Sequence, residues 1–471
     1  MKFRSLLFFS SFFCFPISFL AFINILYSSY FDYFLNINSY TFVLFLSFLI
    51  GALFYIIGKN SDKDLKFFDK IFLIIFIYLT SSFFIALPFY LSNYQISLIN
   101  SLFESASGLT GTGFTTFNNL KYMDPTLILW RSSSQWIGGL YFIIFLVLFL
   151  SSKQYNYKLL NFVFSGDFNT SSYRNIKNTV FRIFFIYSFL TLAIFFLLSF
   201  TDIRLFNSLN LSMTFISSGG FLPDENLTKI VFNNIQKLVI IFSMTIPLMN
   251  IFIFANILNT KHILEKHYED FSILLLILAL IFLALLFVNE DILDIILGVV
   301  SSLGNSGLTL MSSTKSQSLF FLILTIIGGS ILSTSSGVKL LRVYILTKSA
   351  SIEILKLVKP NNIFNQNILF SKHKISNESI RLSFLIFISF FISILILSSL
   401  LILDTINFEN SFKLSILTLT NTVNSELFGD INGNFYNMLI STKLSLIIFM
   451  IIGKIELISI FLLLKNIFFK S

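Results

Sequence analysis

Leu102-Phe-Glu-Ser-Ala-Ser-Gly-Leu-Thr-Gly-Thr-Gly-Phe-Thr-Thr116 is a short amphipathic stretch that runs out into small residues. An apolar span lies on each side of it, near 71–91 and 127–150, and about 20 residues suffice to cross a bilayer. The segment itself, near 97–110, is too short to cross, so it reads as a helix that enters and returns on one side. Glycine at its end permits backbone torsions that line up successive carbonyls. Irregular backbone at membrane depth is tolerated only where it is buried in protein or lines a water-filled path.

The same plan recurs three times. Short apolar segments near 205–217, 292–304 and 411–423 run into Ser217-Ser-Gly-Gly-Phe221, Leu303-Gly-Asn-Ser-Gly-Leu308 and, less cleanly, Thr422-Val-Asn-Ser-Glu-Leu427. Four such turns around one axis form a ring of oxygens able to replace an ion's hydration shell. Helix C-termini aimed at that axis favour a cation. One turn alone fits close helix packing through small residues equally well. Recurrence at the same place in each unit favours a cation pore.

Composition agrees. Of 471 residues, 55% are hydrophobic and only 12% charged, which makes the chain a polytopic membrane protein rather than a soluble one. Spans long enough to cross lie near 6–29, 41–58, 71–91, 127–150, 179–200, 238–258, 272–289, 318–346, 382–403 and 444–464. The first reads as an uncleaved membrane helix, because no small-residue cleavage site follows it. The net charge of +9 does not indicate nucleic acid, since the basic residues cluster in short segments between spans. Cys14 is the only cysteine, so no disulfide within the chain and no thiolate metal site is expected.

Lys2, Arg4, Lys59, Lys63, Lys66, Lys70, Lys153, Lys158, Arg174, Lys177, Lys261 and Lys266 all fall on one side if both termini are cytoplasmic. So do Lys348, Lys356, Lys359, Lys372, Lys374 and Arg381 of the longest polar connection. The returning segments then enter from outside, where Asp202, Glu290, Asp291, Asp404 and Glu409 lie. The expected organisation is a peripheral helix pair at 1–58 and four pore units at 71–150, 179–258, 272–346 and 381–467. The third unit is interrupted by a Gly/Ser-rich intramembrane loop at 328–338.

Four motifs carry a family resemblance over about 71–467. They are Leu102–Thr116, Trp136-Ile-Gly-Gly139, Ile327-Gly-Gly-Ser-Ile-Leu-Ser-Thr-Ser-Ser-Gly-Val-Lys339 and Met450-Ile-Ile-Gly-Lys-Ile-Glu456. Together they resemble the pore-forming membrane subunit of the Trk/Ktr/HKT superfamily of potassium transporters. The resemblance implies an all-α polytopic fold with four tandem M1–pore loop–M2 units around one pseudo-fourfold pore, plus an N-terminal pair of helices. It implies channel-like potassium uptake across the cytoplasmic (inner) membrane, a homodimer, and cytoplasmic nucleotide-binding regulatory subunits of Trk or Ktr type. The basic loops at 151–178, 259–271 and 347–381, with the Lys465–Ser471 tail, are candidate docking surfaces, or else ordinary positive-inside anchors. The transported potassium is the only ion implied, and no nucleotide on this chain.

By that resemblance the selectivity filter is Thr112 and Gly113, Gly219 and Gly220, Ser306 and Gly307, and Asn424 and Ser425. Glycine at the first position goes with potassium preference. Ser425, or Gly429 in a slipped register, departs from the pattern and leaves weak potassium/sodium selectivity as the alternative. The gating residues are Gly328, Gly329, Ser330, Ser333, Thr334, Gly337, Lys339 and Lys454. Lys454 replaces the arginine typical of the family, keeping the charge but losing the planar fork of donors. An intramembrane cation is expensive and usually functional, although Lys454 can also snorkel to the inner interface. Glu104 either braces the filter or sits exposed at the outer mouth.

His262, His267 and His373 share no metal face and read as surface residues. No phosphate-binding glycine loop or nucleophile–base pair stands out, so the chain is not expected to be an enzyme. The rival, a membrane lipid-processing enzyme, would need an acidic pair or a basic cluster at a membrane face. Its nearest candidate is Glu290-Asp291 with Asp294, which heads a returning helix where dipole complementarity explains it.

Overall fold

The computed structural model describes residues 3–61, 65–117, 119–150, 173–256, 267–362, 364–371, 373–429 and 434–455. Among these residues it is all-helical, with no strand and one isolated antiparallel bridge between Asn367 and Lys374. Helix dominates because a backbone crossing lipid must satisfy every amide and carbonyl within its own segment.

The N-terminal hairpin is α1 (Phe3–Tyr30) and α2 (Ile37–Gly58), packed on each other and on the first unit. That unit comprises α3 (Phe67–Tyr90), the short α4 (Leu98–Thr110) and α5 (Pro125–Leu150). The second has α6 (Tyr173–Ser199), short α7 (Leu205–Ile216), then α8 (Asn234–Thr245) and α9 (Ile251–Asn256). The third has α10 (Tyr268–Leu285), short α11 (Ile292–Leu303), α12 (Lys315–Ile327) and α13 (Leu340–Val358). The fourth has α14 (Asn377–Leu403), short α15 (Phe408–Leu419) and α16 (Ile440–Ile455).

The units close into a ring. Each second limb packs on the short helix of the next unit: α5 on α7, α8 on α11, α12 on α15, and α16 back on α4. The short helices are consequently buried over most of their length, even at polar positions. Several of their hydroxyls bond back one turn, as Thr110 does to the Ala106 carbonyl (2.7 Å) and Thr418 to that of Leu414 (2.6 Å).

Six described helices, α1, α2, α3, α6, α10 and α14, are long and apolar enough to cross a membrane. The other four expected crossings are the units' second limbs. One departs from expectation: the span at 238–258 is not continuous. A 3-10 turn, Ile246–Leu248, separates α8 from α9 because Pro247 removes an amide donor there. The freed amides find partners elsewhere, Asn250 N–H on Asp270 Oδ1 (2.7 Å) and Ile251 N–H on the Leu332 carbonyl (3.2 Å). The loops at 151–172 and 257–266, with His262, lie outside the described residues, as do Glu456 and the Lys465–Ser471 tail.

Candidate ion path and gate

Each short helix ends in the same way. The residue with positive φ that follows it is Gly111, Ser218, Asn305 or Asn421 (φ 81°, 55°, 60° and 51°). Left-handed backbone here ends the helix, and Gly and Asn are the types that tolerate it most readily. The next residue in three turns, Gly219, Ser306 and Thr422, donates its N–H to the carbonyl five positions back. Thr110 and Thr112 hydroxyls meet at 2.8 Å, and Thr420 and Thr422 repeat that contact at 2.9 Å.

This register puts Thr112, Gly219, Ser306 and Thr422 at one level and Gly113, Gly220, Gly307 and Val423 at the next. The first three pairs coincide with those read from the sequence. The fourth does not: Val423 occupies the position assigned to Ser425, and Asn424 and Ser425 lie beyond it. A 3-10 turn, Glu426–Phe428, follows directly after Ser425. Gly429 is further out still, with φ 78°. Ser425 nevertheless reaches the ring, donating its hydroxyl to the Gly307 carbonyl at 2.6 Å.

The first two turns are tied together behind the ring. Glu104 is fully buried on α4 and accepts from Thr116 N–H (2.8 Å) and the Thr115 hydroxyl (3.0 Å). Arg131 on α5, also buried, donates Nε to it at 2.8 Å. The same guanidinium lies 4.1 Å from the Phe221 ring centre and reaches the Leu222 carbonyl. Glu104 is thus a brace and not an exposed mouth residue. Arg131 was missed in the sequence because nothing local distinguishes it from an interface arginine.

On one side of the ring an open cleft of about 360 Å³ is lined by Gly113, Gly220, Leu308, Val423, Asp224, Glu225 and Glu426, among others. The hydrogen bond from Lys229 holds the Glu225 carboxyl below its usual range, so it is ionised at neutral pH.

On the opposite side lies the 328–339 segment. Gly328, Gly337 and Lys339 have positive φ (69°, 78° and 78°), and its polar side chains are buried. Ser330 N–H donates to the Leu248 carbonyl (2.9 Å), Ile331 N–H to Glu269 (2.9 Å) and Gly329 N–H to Ser335 Oγ (2.9 Å). Ser333 and the Ser335 carbonyl receive the Lys339 ammonium. Thr334 Oγ1 donates to the Ile216 carbonyl (2.9 Å) and lies 3.1 Å from Ser218 Oγ. Ser336 Oγ donates to Asn421 Oδ1 (3.1 Å), while Asn421 Nδ2 reaches Thr112 Oγ1 (3.0 Å) and the Met450 carbonyl (2.9 Å). Lys454, also buried, donates to the Thr334 carbonyl (3.2 Å) and Ser336 Oγ (3.3 Å) and sits 4.6 Å from the Phe142 ring centre. It does not snorkel.

Ser218, Asn421 and Glu269 thus join the segment to the ring and to α10, and sequence reading had singled out none of them. Their polar side chains after or near apolar helices were the available signal. One histidine needs correction: His267 is buried, with Nδ1 3.1 Å from Asp270 and Nε2 3.2 Å from Asn256. It is held at the start of α10 by the turn that meets Asn250. Among the described residues no group of three His, Cys, Asp or Glu side chains is placed to hold a metal ion.

No family model matches the chain. It is 28% identical over 459 residues to an uncharacterized cation transporter of Methanocaldococcus jannaschii, covering 91% of this chain and 90% of that one. It is 24% identical over 352 residues to the Trk system potassium uptake protein TrkH of Escherichia coli, covering 70% and 71%. The crystal structure of the potassium transporter TrkH from Vibrio parahaemolyticus superposes with a TM-score of 0.88 over 100% of both chains, at 20% identity. The chain is a multi-pass membrane protein with the TrkH fold, four units around one pseudo-fourfold axis, and its homologues are Trk potassium uptake proteins and a cation transporter.

Proposed function

We propose that this chain is the pore-forming subunit of a potassium uptake system and conducts along the axis of its four turns. Dehydrated potassium is coordinated by backbone oxygens of Thr112 and Gly113, Gly219 and Gly220, Ser306 and Gly307, and Thr422 and Val423. Ser425 acts through the Gly307 carbonyl. The observation that carries this reading is the shared register of the four turns within a closed ring of helices. With both termini cytoplasmic, the acidic cleft faces outward and concentrates cations, and the membrane potential drives inward flux with about 2.3 kcal/mol per 100 mV.

The buried 328–339 segment is the gate. Its hydrogen bonds to Ser218, Asn421 and Lys454 on the inner side of the ring hold it across the exit. A homodimer and cytoplasmic nucleotide-binding subunits complete the assembly. The docking surface to test includes α13, whose far end exposes Ile354, Leu355, Leu357 and Val358.

Restored growth of potassium-uptake-deficient cells on low potassium, with the regulatory subunit co-expressed, tests the proposal; failure to restore growth counts against it. A second reading, weak potassium/sodium selectivity, is favoured by the Ser425 hydroxyl, which donates to the Gly307 carbonyl and so engages one of the ring's oxygens. Reversal potentials in mixed ions separate the two.

A further inference from the structure

Val423 is the side chain that breaks the ring's symmetry. A Cβ built on Gly220 would lie 2.4 Å from Val423 Cβ, and one on Gly113 would lie 3.1 Å from it. Gly220 does not have positive φ, so its torsions accept a side chain; the space does not, because Val423 fills it. The valine carbonyl lies 2.9 Å from where a Cβ on Gly307 would sit. Its half-buried isopropyl group therefore stands at the floor of the outer cleft against glycines of two other units.

We propose that Val423 is the specificity-determining residue at the mouth of the path, an inference that rests on the transport reading above. A cation entering from the cleft meets glycine backbone on three sides and hydrocarbon on the fourth. It must shed water against that hydrocarbon before reaching the level of Thr112, Gly219, Ser306 and Thr422. An apolar constriction impedes ions by dewetting. Sodium, being smaller, holds its water more tightly than potassium and is penalised more. The valine thus slows conduction and sharpens discrimination against sodium.

The test is rubidium and sodium flux through the full chain in proteoliposomes. Val423→Gly is expected to raise rubidium flux several-fold and lower the rubidium-to-sodium ratio several-fold, whereas Val423→Leu lowers flux. Val423→Ala shifts both quantities in the glycine direction and serves if the glycine variant does not fold. Gly220→Ala should lower flux and unfolding temperature, and Val423→Gly in the same chain should restore both. Unchanged flux and ratio in Val423→Gly overturn the inference, as does an equal Gly220→Ala penalty in both backgrounds. Absence of cation flux through both the wild-type chain and its Lys454→Met variant overturns the transport reading instead.

Discussion

Arg131 Nε lies 2.8 Å from the Glu104 carboxylate with both side chains sealed from solvent, and this pair joins the first turn to the second. Removing one partner of a buried ion pair costs about 3–5 kcal/mol, since the other charge is left uncompensated. Glu104→Gln is therefore expected to lower the unfolding temperature in detergent and to reduce flux. Adding Arg131→Met should cost less than the sum of the two single changes, because neighbouring effects are not additive. Additive losses would show that the two side chains do not act together.

Lys454 holds the inner segment through the Thr334 carbonyl and Ser336 hydroxyl. Lys454→Met removes both bonds without adding bulk and is expected to raise leak flux several-fold, whereas Lys454→Arg keeps flux near the wild-type value. Rubidium uptake without the regulatory partner reads the difference. Deleting residues 330–336 should raise leak further, and a tightly closed deletion variant would remove the gate.

Asn421 combines a left-handed backbone with a side chain that links Thr112, Met450 and Ser336. Left-handed torsions cost an L-residue roughly 1–2 kcal/mol, and an orphaned buried polar group about 1–3 kcal/mol. Asn421→Ala incurs both penalties. Asn421→Gly avoids the first, so its unfolding temperature should lie between those of wild type and Asn421→Ala. Equal stability of the two variants would deny the backbone contribution.

Much of this architecture was legible because spans of membrane length and short returning helices differ in length, and length is visible in sequence. The first three turns were legible through their glycines. Val423 was not, because the fourth turn lacks that marker and its register is set by Asn421 torsion and the hydrogen bond from Thr422 N–H to the Leu417 carbonyl. The break at Pro247 was passed over for a related reason. A proline inside an apolar run looks tolerable until its freed neighbours are seen to bond Asp270 and Leu332, which lie far along the chain. His267 likewise looked like a surface residue; the first turn of α10 sets it against Asp270, and the fold brings it against Asn256.

Gly113 has φ 80°, and a Cβ there would lie 2.8 Å from Gly220 Cα. Gly113→Ser must push the second turn away and is expected to shift preference towards sodium. Reversal potentials in mixed potassium and sodium check this, and unchanged selectivity would place the discriminating site elsewhere.

Anomalous diffraction from crystals grown in rubidium tests the central claim most directly. A rubidium peak on the axis, ringed by the backbone oxygens of Thr112, Gly219, Ser306 and Thr422, is the predicted result. Rubidium confined to the acidic cleft, with none between the four turns, would contradict it.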